Sequence, residues 1–188
     1  MKYKFIEKEF CYTGKELAPC WIYRNQGLQG DAVVSWIGEC DVKIDNMADI
    51  EDVLSNSPIY SKKMLHFLVE HFNISLIEGV LRQRLLVGIA RDIILQKGIS
   101  STDLIRKGDD LFYNDEKLSV SIAAKSINSV LIHFAMNIDS EGAPVKAAGL
   151  ATELALENFR ELSENIMESY VKECKEIIDA SCKVKGIY

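Results

Sequence analysis

Several features that would sort a chain quickly are missing from this one. No apolar run reaches the roughly 18 residues that a helix needs to cross a bilayer, so no membrane span is expected. The N-terminal stretch MKYKFIEKEF places acids where a secretory leader needs an apolar core, and the expected location is cytoplasmic. Positive charge is short: 22 Lys and Arg face 28 Asp and Glu, for a formal charge of −6. The pI near 5.2 counts against broad nucleic-acid binding, which calls for a basic face. The five cysteines (Cys11, Cys20, Cys40, Cys174, Cys182) form no CxxC pair and are odd in number, a pattern that fits free thiols in a reducing compartment. Cys174 and Cys182 fall at helical spacing and read as buried thiols. The acids between residues 39 and 52 lack the DxDxDG spacing of a calcium loop, which excludes that metal site. There is no repeat, low-complexity segment or linker, so residues 1–188 are expected to form one domain.

What is present is an ordinary globular composition, 48% hydrophobic and 27% charged, enough to bury a core. Alternation predicts a first strand over Lys2–Tyr12, and helical spacing of Leu17, Trp21 and Ile22 predicts a helix over Lys15–Asn25. AVVSWI (Ala32–Ile37) reads as a second strand, ended by Gly38. Glu39–Pro58 is acidic and irregular, with a short helix over Asp49–Leu54; it reads equally as a lid or as a plain solvated connection.

Lys63–Phe72 predicts a strand with His66, Leu68 and Glu70 on one face. Ser75–Lys97 is the clearest helix, with a Ser75/Glu78 capping box and Gly98 as its stop; Arg82, Arg84 and Arg91 are assigned to its solvated side. Thr102–Arg106 predicts a short strand, and Leu111–Tyr113 with Lys117–Ala124 a hairpin around Asn114-Asp115. Val130–Ile138 is another strand. A short helical piece is expected at Lys146–Leu154 after Pro144, and a long amphipathic helix over residues 157–183. Short turns between the late strands require antiparallel pairing. The expected fold class is therefore α+β: a central mixed, mostly antiparallel sheet with helices on one face.

The densest chemistry lies between Gly108 and Asn137. Alternation groups Lys117, Ser119, Ser121 and Ala123 on one strand face and assigns Leu118, Val120, Ile122 and Ala124 to the core. On the next strand His133, Ala135 and Asn137 share a face. If the lysine and histidine faces coincide, one wall carries a cation, hydroxyls, an imidazole and an amide, suited to a carboxylate or phosphate. The alternative is an exposed lysine at a hairpin tip.

These segments carry a resemblance. GDDLFYNDEKLSVSI resembles the Asn-Asp-Leu, turn, Lys-Leu-Ala-Gly segment of biotin and lipoate protein ligases, with Asp110 and Lys117 on the aspartate and lysine of that pattern. In those enzymes the lysine contacts the acid's carboxylate and the adenylate phosphate. QGDAVVSWIGE is similar to their Gly-Asp strand, and MLHFLVEHFNISLIEGVLRQRLLVGIARDIIL to their strand and long helix. IHFAMNID resembles the His-Gly-Phe-Ala-Leu-Asn strand of octanoyltransferases, placing His133 and Asn137. GAPVKAAGLATEL is similar to the segment that follows in lipoate ligases. WIYRNQGLQGD, MADIEDVL and MLHFLVEHF resemble a mainly archaeal family, domain of unknown function 366, in the biotin/lipoate ligase and class II aminoacyl-tRNA synthetase superfamily.

The resemblance implies a ligase-like fold and a small carboxylic, acyl or aminoacyl ligand. It implies Lys117 and Asp110 as the catalytic pair and places His133 and Asn137 in the site; Ser119, Ser121 and His66 join them as expected substrate-binding residues from their strand faces, and no metal ligands are expected. The departures are specific. Val120 replaces the glycine of the lysine motif, the glycine-arginine and Arg-Arg-x-Ser-Gly-Gly-Gly loops are absent, and no Pro-Cys-Gly nucleophile follows Asn137. Cys40, among acids, is a poor nucleophile. ATP-Mg²⁺ as cofactor, a carrier protein as acceptor and a homodimer through the last helix therefore stay open. So does a non-catalytic module that kept the fold and lost the nucleotide.

Overall fold

The computed structural model describes residues 1–141 and 146–187. Five strands form the main sheet in the order β1-β2-β3-β8-β7. They are β1 (Lys2–Phe5), β2 (Ala32–Val42), β3 (Ile59–Phe72), β7 (Ser119–Lys125) and β8 (Ser129–Asn137). β1 runs parallel to β2, and every other neighbouring pair is antiparallel. A second, three-stranded sheet holds β4 (Leu104–Lys107), β5 (Asp110–Tyr113) and β6 (Glu116–Lys117). The helices are α1 (Trp21–Gln26), α2 (Ile50–Ser55), α3 (Leu76–Gln96) and α4 (Phe159–Ser181).

Period-two alternation splits the main sheet between two cores. Leu65, Phe67 and Val69 of β3, with Ile132, Phe134 and Met136 of β8, bury against Leu86, Ala90 and Ile94 of α3 and Leu162 and Ile166 of α4. The opposite face carries Val34, Trp36, Met64, Leu68 and Ala135. It has no long helix on it. A strap, residues 6–28, covers it with Ile6, Tyr12 and Ile22. The expected α+β class, with α3 and α4 on one face of a mixed sheet, is the one found.

Local chemistry fixes the well-read elements. Ser75 and Glu78 cap α3 reciprocally, and Asp49 caps α2 by accepting from the backbone N–H groups of Glu51 and Asp52. Asn114 and Asp115 both take positive φ, 50° and 63°, as a tight hairpin turn of the primed type demands.

Other boundaries differ from the sequence reading. β1 stops at Phe5, and Tyr12 instead makes an isolated bridge to Cys40. The first helix begins only at Trp21, because Cys20 takes a left-handed φ of 59° with its N–H bonded to the Glu70 carboxylate at 2.8 Å. β3 starts at Ile59, four residues before Lys63, and β4 runs Leu104–Lys107. Arg91 does not simply face solvent: its Nε donates to the Leu104 carbonyl at 2.9 Å and ties β4 to α3. Residues 146–154 form no helix: Ala147 bridges Lys117 and residues 150–154 are turns; Pro144 lies outside the described residues. Cys182 caps the end of α4 and is exposed, whereas Cys174 is buried.

Gly38 does not end its strand. β2 continues to Val42 through an irregularity between Gly38 and Cys40. The glycine is there for proximity, because the Phe10 carbonyl, which accepts from the Trp36 indole N–H at 3.1 Å, would lie 1.9 Å from a Cβ. Gly38→Ala must push the strap off the sheet, so we expect a loss of about 1–3 kcal/mol, read as a drop of several degrees in Tm. An unchanged Tm would show that the strap is not held at this point.

Candidate functional site

The strap leaves part of its sheet face uncovered, and a cavity of about 430 Å³ opens there. Cys40, Val42, Met64, Val120 and Ile122 line it with apolar surface, and His133 lines it beside them. The connection between β2 and β3 contributes Met47, Asp49, Asp52 and Pro58. Asp110 and Lys117 approach from the small sheet.

Lys117 and Asp110 form an ion pair, Nζ to Oδ2 at 2.8 Å, with side chains 38% and 22% exposed. They meet because Lys117 in β6 pairs with Phe112 of β5, whose first residue is Asp110. Burial pushes the Asp110 carboxyl above the usual carboxylate range, and Lys117 only partly offsets this. The backbone of Lys117 is pinned as well. Its carbonyl accepts from the Ala148 N–H at 3.0 Å and from Asn137 Nδ2 at 3.3 Å. Asn137 thus acts as a clamp, its Nδ2 also donating to the Ala148 carbonyl and its Oδ1 accepting from Ser61 Oγ. Across the cavity Asp52 is raised too, chiefly by burial, with Asp49 adding to the rise and Lys117 opposing it.

The lysine and histidine faces do not coincide. Register sets Ile122 opposite His133 and Val120 opposite Ala135, so the two residues assigned to the core stand on the histidine face and line the cavity. Ser119 and Ser121 sit opposite Met136 and Phe134. They also border the cavity, but their hydroxyls are engaged in holding β5. Ser119 Oγ accepts from the Leu111 N–H at 2.8 Å, and Ser121 Oγ donates to the Asp109 carbonyl at 2.9 Å. The reason is a break in the strand: at Leu118 the chain leaves the small sheet and enters the large one, so alternation counted from Lys117 does not carry across.

His66 does not line the cavity. It lies fully buried behind His133, with Nδ1 3.1 Å from His133 Nε2 and Nε2 3.2 Å from the Gly38 carbonyl. Burial takes His66 down to about 4 and His133 well below the usual histidine range. Trp36 stacks on His66 at 4.8 Å and Tyr12 on His133 at 3.6 Å between ring centroids. Burial raises the Tyr12 phenol strongly, so it stays protonated. The 47–58 segment, which reads in sequence as either a lid or a solvated connection, lines the cavity, and Tyr12 carries no signal in sequence that marks it as a site residue. Tyr12 arrives on an irregular strap, where periodicity says nothing about which way a side chain faces. Cys40 lies buried in the floor with its thiol pushed up to about 12, chiefly by burial, with Cys11 and nearby acids adding to it. Among the described residues no three His, Cys, Asp or Glu side chains converge to hold a metal ion, and no helix is long and apolar enough to cross a membrane.

Residues 1–185 match the family model described as Domain of unknown function (DUF366). The chain is 37% identical over 179 residues to Uncharacterized protein MJ0805 of Methanocaldococcus jannaschii, covering 92% of this chain and 79% of that protein. A solved structure of a protein of unknown function from Pyrococcus horikoshi is 31% identical and superposes with a TM-score of 0.90, covering 99% of this chain and 100% of that one. More distantly, biotin protein ligase from Aquifex aeolicus in complex with biotin and ATP superposes with a TM-score of 0.60 at 11% identity, covering 93% of this chain and 71% of that one. Lipoate-protein ligase A bound with ATP gives a TM-score of 0.57 at 14% identity, over 92% of this chain and 85% of that one. The chain therefore belongs to the DUF366 family and has the fold of the biotin and lipoate protein ligases.

Proposed function

We propose that the cavity binds a small carboxylic, acyl or aminoacyl ligand, in a cytoplasmic ligase or acyltransferase of the biotin/lipoate type. The observation that carries this reading is the distribution of charge. Among the described residues lining the cavity, Lys117 is the one cation among the carboxylates Asp49, Glu51, Asp52, Asp109 and Asp110, and it stands at the edge of an apolar floor, where an acid's head can replace Asp110 as its partner. Such a pocket suits a ligand with an anionic head and an apolar body. Lys117 holds the carboxylate or a developing oxyanion, an interaction strengthened by exclusion of water, and Asp110 orients the lysine. A carrier protein is the natural acceptor for such an acyl group, and α2 beside the mouth, with Ile50 and Leu54 exposed, is where it would approach.

One observation favours a second reading, binding without nucleotide chemistry. Asp49, Glu51 and Asp52 stand in the cavity wall and oppose a triphosphate unless Mg²⁺ intervenes. A thermal-shift screen with biotin, lipoate, octanoate and amino acids, each with and without ATP-Mg²⁺, separates the two. A ligand at a hundred times its Kd should raise Tm by roughly 5–10 °C. Stabilisation that needs acid and ATP-Mg²⁺ together supports a ligase, and stabilisation by acid alone supports the binding module. Silence from every acid overturns both.

A further inference from the structure

The buried pair behind the cavity has one hydrogen-bonding solution. A carbonyl oxygen only accepts, so His66 Nε2, 3.2 Å from the Gly38 carbonyl, must carry a proton. A neutral His66 then has a bare Nδ1, which must accept from His133 Nε2, 3.1 Å away. His133, neutral in turn, is left with a bare Nδ1. That nitrogen has no protein partner among the described residues, on a side chain that is 3% exposed and lines the cavity. Tyr12, stacked at 3.6 Å, fixes the ring plane from one side. The imidazole is therefore held as a lone pair in an otherwise apolar part of the pocket.

We infer that His66 sets the tautomer of His133 so that Nδ1 reads a hydrogen-bond donor on the ligand, and that the preferred ligands are acids carrying a hydroxyl or N–H donor away from the carboxylate. This specificity rests on the proposed acid-binding role of the cavity, whereas the tautomer and the donor contact do not. His66 is a positioning residue, and His133 is the group that touches ligand.

The test uses the full chain with labelled histidine nitrogens, read by long-range ¹H–¹⁵N NMR at neutral pH, which distinguishes protonated from bare ring nitrogens. His133 should show the Nε2–H form. His66→Gln, whose amide can donate to the Gly38 carbonyl and accept from His133, should keep that form, and His66→Leu should release it. A neutral pair of probes then tests the contact without involving Lys117. Hexanol should shift the His133 Nδ1 resonance saturably, and hexyl methyl ether, which cannot donate, should not. Among acids, an ω-hydroxy acid of fitting length should bind roughly tenfold tighter than its methyl-terminated counterpart, the worth of one good hydrogen bond. A proton on Nδ1, an ether that matches the alcohol, or equal affinity of the two acid series at every chain length overturns the inference. If hexanol titrates His133 while no acid binds, the donor contact stands and the acid-binding reading falls alone.

Discussion

Lys117→Ala should reduce binding of any acid found for the cavity by about a hundredfold while leaving Tm almost unchanged. The two halves of that expectation rest on different physics. A hydrogen bond to a charged group contributes about 1.5–3 kcal/mol, at its upper end roughly two decades in Kd. No other cation lines the cavity among the described residues, so nothing there can substitute. For stability, the Lys117–Asp110 pair is partly solvated, with side chains 38% and 22% exposed, and such pairs contribute about 0–1 kcal/mol. Asp110, already raised by burial, can take up a proton rather than remain as an unpaired charge. Titration calorimetry with the stabilising acid, together with a melting curve of the same sample, checks both halves. Binding that survives the substitution would move the site away from Lys117. A collapse in Tm would make the lysine a structural residue.

The parts of this fold that could be read from sequence are those in which a regular period runs unbroken. β3 keeps its alternation through Phe72, and α3 announces itself through Ser75, Glu78 and Gly98, so both emerge nearly as expected. Lys117 and Asp110 come together because a tight turn of known type separates their strands. The misreadings have a common cause, tertiary contacts that override a local signal. Gly38 looks like a strand end, but the glycine answers the approach of Phe10. Val120 and Ile122 look like core because alternation from Lys117 runs on through Leu118, where the chain changes sheets. His66 lies opposite Ala135 and His133 opposite Leu68, diagonal positions on one face of adjacent strands. That His66 stands behind His133 rather than beside a ligand depends on the Gly38 carbonyl, which no local pattern reveals. Sequence thus located the charged end of the cavity, and only the register and the strap define its floor.

Acid should unfold this protein well before its carboxylates are fully protonated. All three histidines are buried, and burial holds His66, His71 and His133 below the ordinary value of 6.5. As pH falls below 6.5 the unfolded chain therefore takes up protons that the folded chain refuses, and stability falls in step. The stability present above pH 6.5 is lost progressively on acidification, and the share of His66, whose folded value is about 4, is gone near that pH. For this residue alone the loss is about 3 kcal/mol. His133 acts in the same direction, lowered by its own burial, and a proton on His66 Nδ1 would also break the donor–acceptor sequence that joins the two rings to Gly38. His71 contributes less cleanly, because its bond to Asp31 at 2.9 Å resists the effect of burial. Burial pushes the Asp31 carboxyl up, but the bonds from His71 and the Phe72 N–H together outweigh it and hold it low, so its contribution disappears only in stronger acid. Asp110 and Asp52 work the other way, since their raised carboxyls gain relief as they protonate. The net expectation is a Tm that falls steeply between pH 6.5 and 4, followed by melting curves in matched buffers. His66→Gln, which cannot titrate, should flatten that slope even where it lowers Tm at neutral pH. A Tm that stays level from pH 7 to 4.5, or a His66→Gln slope equal to the wild type, would show that the folded pair takes up protons as readily as the unfolded chain.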